Sequence, residues 1–338
     1  MTDFITFVGW YGRQNAGDEA FKEVHKHLFT DRCAFEWIDD RTPPAQVSGR
    51  REWVLGGGDV LSDFYASQIP ADAPFSLYGV GVGGVEEFAF IERNRERIRA
   101  AWVRNRGDVA RLESLGIQAH FTPDIVFQLR PAYEGSQARD PAGERTRKRL
   151  VIFLSANAAQ AAVRTHDKRM WHYYGFFQRE LALFCDFISD FYDVVFYPLS
   201  TNANDDDRQF SREVRGFMKK PEQVRVLAGD DSIEEIVAMV QKSDLVLSMK
   251  FHGIVFSALS GVPFINIGLS RKTQLLCTDN GLDMLSMPPY SLSFHSLSNV
   301  VKVAEQPETR ARVREVGARL SEAAAQQGQA FRDFILGV

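Results

Sequence analysis

Cysteine is scarce in this chain of 338 residues. Cys33, Cys185 and Cys277 are odd in number and far apart. They form no CxxC pair and no disulfide framework, which fits a reducing compartment. Long apolar runs are also missing, and no stretch reaches the roughly 18 residues of a membrane span. The opening MTDFITFVGW has neither the basic start nor the long apolar core of a secretion signal. The expected location is therefore cytoplasmic, with contact at the inner face of the membrane left open. Positive charge is not in excess. A net charge of −4 provides no global field for nucleic acid. There is no repeat of solenoid period and no low-complexity segment. What remains is 45% hydrophobic and 25% charged residues, the balance of a soluble globular protein. The length suits two domains, each with its own core.

Short apolar runs alternate with amphipathic ones. Strands are expected at Phe4–Gly9, Ala34–Ile38, Glu52–Leu55, Phe75–Val82, Ala101–Arg104 and Gln118–Phe121. Helices are expected from about Asp18, over Glu86–Ala100 and over Asp108–Leu115. Residues 131–148 are rich in Pro, Gly and charge without apolar periodicity, and read as a linker. A second βα series follows, with strands at Leu150–Leu154, Asp193–Tyr197, Val224–Leu227, Asp244–Leu247 and Phe264–Ile267. Its helices are Trp171–Ser189, Asp206–Met218, Ile233–Gln241 and Ile254–Leu259. A long helix, Pro307–Leu336, ends the chain and is expected to pack back on the first domain. The alternation argues for parallel sheets. The expected architecture is α/β: two Rossmann-like βα domains facing a cleft. The divisions are 1–130, a linker 131–148, 149–306, and a C-terminal helix 307–338.

Polar residues gather where such sheets place ligands, at strand C-termini and helix N-termini. The run DLVLSMKFHGIVFSALSGVPFINIGLSRK, beginning at Asp244, carries Lys250 and His252 between a buried strand and an apolar helix. Free N–H groups and the helix dipole favour an anion there, so a phosphate or carboxylate held by Lys250 and His252 is expected. The loop GRQNAGDE, from Gly12, lacks the Lys-Ser/Thr of a phosphate loop and ends in Asp18 and Glu19. Those acids either bind sugar hydroxyls, serve as a base, or simply complement a helix N-terminus. Gly56-Gly57-Gly58-Asp59 either brings backbone and the acids Asp59 and Asp63 to a ligand, or is a plain turn. Asp205-Asp206-Asp207 is expected to cap the helix before Arg208 rather than hold a metal, and no metal site is expected. Arg164, Lys168 and Arg169 sit in a stretch that either closes over an anion or is a solvated loop.

Four blocks in order resemble the polysaccharide pyruvyl transferase family: GWYGRQNAGDEAF, VLGGGDVLSD, VRNRGDVARLESLG followed by TPDIVF, and SMKFHGIVFSALSGVPFINIGLSRK. The resemblance spans nearly the whole chain. It implies a glycosyltransferase-B-like fold and transfer of pyruvate from phosphoenolpyruvate to sugar hydroxyls as a ketal. It places Lys250 and His252 at the phosphoenolpyruvate and matches Lys272 to the family's lysine. Ser248 and Gly253 of the same turn are expected beside the donor, and His252 is the candidate catalytic acid because His titrates in the working range. The resemblance puts Asn15, Asp18, Glu19 and Asp59 on the opposite wall. With these placements Asn15, Glu19 and Asp63 are expected at the acceptor, and Asp18 and Asp59 are candidate bases. Lys250 stands where the family has Arg, and keeps the charge without the bidentate fork. Leu154-Ser155-Ala156-Asn157 ends a strand after which the family often has Arg, and Arg164 is the nearest replacement. The implied partners are phosphoenolpyruvate as co-substrate, with no further cofactor, and a glycan or lipid-linked oligosaccharide of the cell envelope. Peripheral membrane contact would come through that acceptor. The alternatives are a glycosyltransferase using a nucleotide sugar and a non-catalytic glycan-binding member of the family.

Overall fold

The structure is a computed structural model that describes residues 4–39, 41, 43–155, 168–268, 270–288 and 291–338, without the side chains of 168–174. The chain divides into two compact units. One is Met1–Arg13, Asp18–Pro131 and Arg319–Val338, and the other is Gln14–Gly17 with Ala132–Ala318.

The first unit runs β1 (Phe4–Val8), α1 (Ala16–Phe29), β2 (Ala34–Ile38), β3 (Arg51–Gly58), α2 (Asp63–Ala66), β4 (Phe75–Val80), α3 (Val85–Asn94), β5 (Ile98–Val103), α4 (Arg106–Glu113), β6 (Ala119–Phe121) and α5 (Arg130–Tyr133). Its strands form one sheet in the order β2-β1-β3-β4-β5-β6, with parallel pairing throughout. Central strands are buried on both faces, as in β4, so they read as apolar runs rather than alternations. The helix expected over Glu86–Ala100 ends at Asn94 instead. The Asn94 side chain bonds Phe90 O at 3.0 Å, a turn follows, and Ile98 opens β5. The charged run had concealed that turn.

The second unit runs β7 (Lys148–Phe153), α6 (Lys168–Ile188), β8 (Tyr192–Phe196), a small hairpin of β9 (Thr201–Asn202) and β10 (Asp205–Asp206), α7 (Asp207–Gly216), β11 (Val224–Val226), α8 (Ile233–Gln241), β12 (Leu245–Ser248), α9 (Phe251–Leu259), β13 (Phe264–Ile267), α10 (Arg271–Asp279), β14 (Ser286–Met287), α11 (Phe294–Ala304) and α12 (Pro307–Leu336). The order β11-β8-β7-β12-β13-β14 is that of a dinucleotide-binding sheet. Helix α8 starts where sequence places it because Ser232 and Glu235 form a reciprocal capping box, a device that stabilises a helix by about 1 kcal/mol. Residues 132–148 fold onto this unit. Arg149 is fully buried and held by Asp193 at 3.0 Å, Asp140 at 2.5 Å and Gly143 O at 2.8 Å.

The last part of α12, from Arg319, belongs to the first unit. Phe331 stacks on Tyr78 at 3.7 Å and meets Trp102 edge-on at 5.0 Å. Burying Phe331 contributes about 1.5–3 kcal/mol. Gly328 is needed on that face, since a Cβ would overlap the Gln128 amide. Among the described residues, no helix is long and apolar enough to cross a membrane.

Candidate active site

Open α/β sheets bind ligands where the strand order reverses, beyond the strand C-termini. In the second unit that point lies between β7 and β12, and the turn from Ser248 to Gly253 occupies it. Ser248 closes the turn, accepting the Lys250 N–H at 3.0 Å and donating to Lys250 O at 2.7 Å. Lys250 is the extended N-cap of α9. Gly253 lets the helix approach, because a Cβ there would overlap Ser248 Oγ and stand 2.6 Å from Phe153 Cδ2.

The Lys250 ammonium is committed to two carboxylates. It lies 2.8 Å from Asp207 Oδ2 and 3.2 Å from Asp205 Oδ2. Asp207 is fully buried and also accepts the Ser200 N–H at 2.8 Å. Burial pushes the Asp207 carboxyl up to about 6, with Lys250 opposing and Asp205 adding to the rise. For Lys250, burial disfavours the charge but Asp207 and Asp205 outweigh it, so its pKa is raised. Asp206 is the cap expected from sequence: it accepts the Arg208 N–H at 2.9 Å. Its neighbours on either side turn to Lys250 instead. Among the described residues no group of three or more acids, histidines or cysteines is arranged to hold a metal.

His252 is the second residue of α9, and its imidazole packs on the backbone of Gly17. A Cβ at Gly17 would overlap His252 Nδ1. Residues 14–17 are attached to the loop after β8. Asn15 forms an antiparallel bridge with Ser200. The Ala16 N–H donates to Leu199 O at 2.7 Å, and the Thr201 N–H to Gln14 O at 2.9 Å. Gln14 adopts φ 56° to make this attachment, a conformation disfavoured for a residue with a side chain. Asn15 Oδ1 accepts the Gly17 N–H at 3.1 Å. The structure thus ties Asn15 to Ser200 and to Gly17, the residue against which His252 packs. Lys272, in the first turn of α10, holds its ammonium 5.6 Å from the Phe251 ring centre. Arg164 lies outside the described residues.

In the first unit the strand order reverses between β1 and β3. Gly57 and Gly58 have φ of 79° and 106°, and a Cβ on Gly58 would stand 3.2 Å from Asp18 Oδ1. Asp59 is 63% exposed and pairs with Arg104 at 2.8 Å, while Arg104 also lies 3.4 Å from the buried Asp124. Tyr65 joins this group. Burial first, then Asp18, raises its hydroxyl to about 12, with Asp59 adding and Arg13 opposing. Asp18 and Asp59 are therefore brought together. Glu19 serves the loop instead, accepting the Gly12 N–H at 2.6 Å and pairing with Lys22 at 3.0 Å. Asp63, 70% exposed, pairs with Arg93. Sequence reasoning missed Arg104, Asp124 and Tyr65. The signal for the first two was their place at strand C-termini, Arg104 directly after β5 and Asp124 in the turn after β6.

Comparison with solved structures finds the same fold at low identity. The Staphylococcus aureus MnaA–UDP co-structure aligns with TM-score 0.65 at 8% identity, covering 100% of this chain and 97% of that one. UDP-GlcNAc 2-epimerase from Neisseria meningitidis bound to UDP-GlcNAc aligns with TM-score 0.65 at 10% identity, covering 98% and 99%. A putative UDP-N-acetylglucosamine 2-epimerase from Listeria monocytogenes gives 0.64 at 9%, covering 99% and 97%. The fold is glycosyltransferase-B-like, with two parallel six-stranded sheets. Comparison with curated proteins gives no match. Residues 15–271 match the family model described as Polysaccharide pyruvyl transferase. That match reaches from Asn15 through Asp59 and Arg104 to the turn of Lys250 and His252, and with it the chain belongs to the polysaccharide pyruvyl transferase family.

Proposed function

We propose that the protein transfers a pyruvyl group from phosphoenolpyruvate to two hydroxyls of a cell-envelope glycan or its precursor, forming a ketal. The observation that carries this reading is His252 in the first turn of α9, at the reversal point of the second sheet, inside the family match. A helix N-terminus favours the anionic donor, and Lys272 adds positive charge. Lys250 contributes a cation that Asp205 and Asp207 hold in place. His252 gives a proton to the donor's methylene carbon, which becomes a methyl group and leaves C2 electrophilic. An acceptor hydroxyl, deprotonated by Asp18 or Asp59, adds to C2. Phosphate departs with the C2–O bond, and a second hydroxyl closes the ketal. Of the two hydroxyl protons, one balances the new methyl and the other leaves with phosphate.

Incubation of lipid-linked and nucleotide-linked glycans with phosphoenolpyruvate, followed by mass spectrometry, tests the reading. A pyruvyl ketal on the glycan is the expected product. Its absence, with calorimetric binding of UDP-GlcNAc instead, would move the assignment to a nucleotide-sugar transferase. The structural neighbours that carry UDP or UDP-GlcNAc make that the second reading.

Gly17→Ala supplies a local test. The added methyl forces the His252 ring to rotate. Misplacing a catalytic group by about 1 Å can cost about 100-fold. Turnover is expected to fall by that order while the thermal midpoint moves by only a few degrees, since overpacking at a side chain that can turn costs about 1 kcal/mol.

A further inference from the structure

The N-terminal edge of the second sheet carries a surface that the transfer chemistry does not use. Helix α6 buries Leu181, Phe184, Cys185 and Ile188. Its opposite face is apolar too. Phe176, Leu183 and Phe187 on the helix, and Phe191 in the turn after it, repeat at helical spacing and are from 42% (Phe187) to 67% (Phe176) exposed. A helix apolar on both faces needs a second partner. Phe187 meets Phe191 at 5.4 Å and Phe294 of α11 at 5.1 Å. These rings line a cavity of about 810 Å³ at the start of β7 and β8.

The rim of that cavity is cationic. Arg147, Lys148 and Lys302 border it against one carboxylate, Glu305. Glu305 is already engaged by Lys148 at 2.7 Å and by the Tyr192 hydroxyl at 2.6 Å. The nearby Asp190 is paired with Lys220. The excess of positive charge is that of the rim, in a chain whose net charge is −4. The acids of α6 turn to backbone, Glu180 accepting the Phe294 N–H and Asp186 those of Lys219 and Lys220. Aromatic side chains bordered by Lys and Arg suit the headgroup zone of an anionic bilayer. A second copy of the chain fits less well. A twofold interface sets a patch against itself, so the cationic rims would meet each other.

We propose that this face, built from α6 and α11, docks the protein on an anionic lipid surface. Phe176, Leu183, Phe187 and Phe191 enter the headgroup zone, and Arg147, Lys148 and Lys302 meet lipid phosphates. Lys250 and His252 stand at the opposite edge of the same sheet, so docking and their chemistry use different side chains. The proposal does not depend on the identity of the donor.

Cosedimentation with vesicles of phosphatidylcholine, with and without phosphatidylglycerol, is the test. The full chain is expected to bind only the mixed vesicles and to be released by high salt. Phe187→Ser with Phe191→Ser should weaken partition by about tenfold. Lys302→Glu, a change at an exposed position that leaves the fold intact, should weaken it by about tenfold to thirtyfold. Absence of binding to mixed vesicles would overturn the proposal. So would binding that both variants retain, or a concentration-dependent dimer in sedimentation velocity that the Phe variant dissolves. Ketal formation on a soluble glycan should be unchanged in both variants, which separates this result from a failure of the donor assignment.

Discussion

His252→Gln is expected to lower pyruvyl transfer by about 10²- to 10⁴-fold with little change in thermal midpoint. What Gln keeps and what it loses decide the outcome. It keeps a polar group of similar reach on the first turn of α9 and fits against Gly17, which leaves room for a side chain there. It cannot exchange a proton near neutral pH, which His does. Binding of phosphoenolpyruvate should therefore survive while the step that protonates its methylene carbon fails. The measurement is a split of kcat from KM, with calorimetry on the donor. A kcat near that of the unaltered protein would remove His252 from the catalytic role. Loss of donor binding with an unchanged kcat would make it a binding residue instead.

The path from α8 to β13 was largely legible in the sequence. Phe264–Ile267 is a strand over the expected range, and α8 over Ile233–Gln241 likewise. Both are bounded by local signals, a Pro and a capping Ser. The helix expected from Ile254 begins at Phe251 because Ser248 folds its hydroxyl back on Lys250 and frees the chain to turn early. Contacts between distant residues were not legible. Lys250 and Asp205 are 45 positions apart, and nothing in a run of three aspartates says which of them caps the helix and which reach a lysine. Gly17 reads as an ordinary loop glycine until the His252 ring is seen against it. The backbone pairing of Asn15 with Ser200 was likewise not legible, since the two stand far apart in the chain.

Lys250→Met is expected to destabilise the second unit by about 3–5 kcal/mol at neutral pH, the cost of leaving a buried carboxylate without its partner. Asp207 is fully buried, and in the intact protein its pKa already stands at about 6 through burial. An unfolded Asp titrates near about 3.9. A carboxyl with a raised folded pKa contributes stability in its protonated form. That contribution is complete below about pH 4 and is lost as pH rises through the folded value, here about 6. Lys250 opposes the rise, so removing it moves the Asp207 pKa further up. Protonation then relieves the variant at mildly acidic pH. Lys250 adds no slope in that window, because its own raised pKa keeps it charged there. Thermal midpoints of protein and variant should therefore differ most at pH 8 and converge toward pH 5. Adding Asp207→Asn should recover much of the loss at pH 8, since a neutral amide needs no counter-charge. Lys250→Arg should keep most of the stability, because its guanidinium retains the charge. Equal destabilisation at pH 5 and pH 8 would contradict the pairing of Lys250 with Asp207 as the source of the effect.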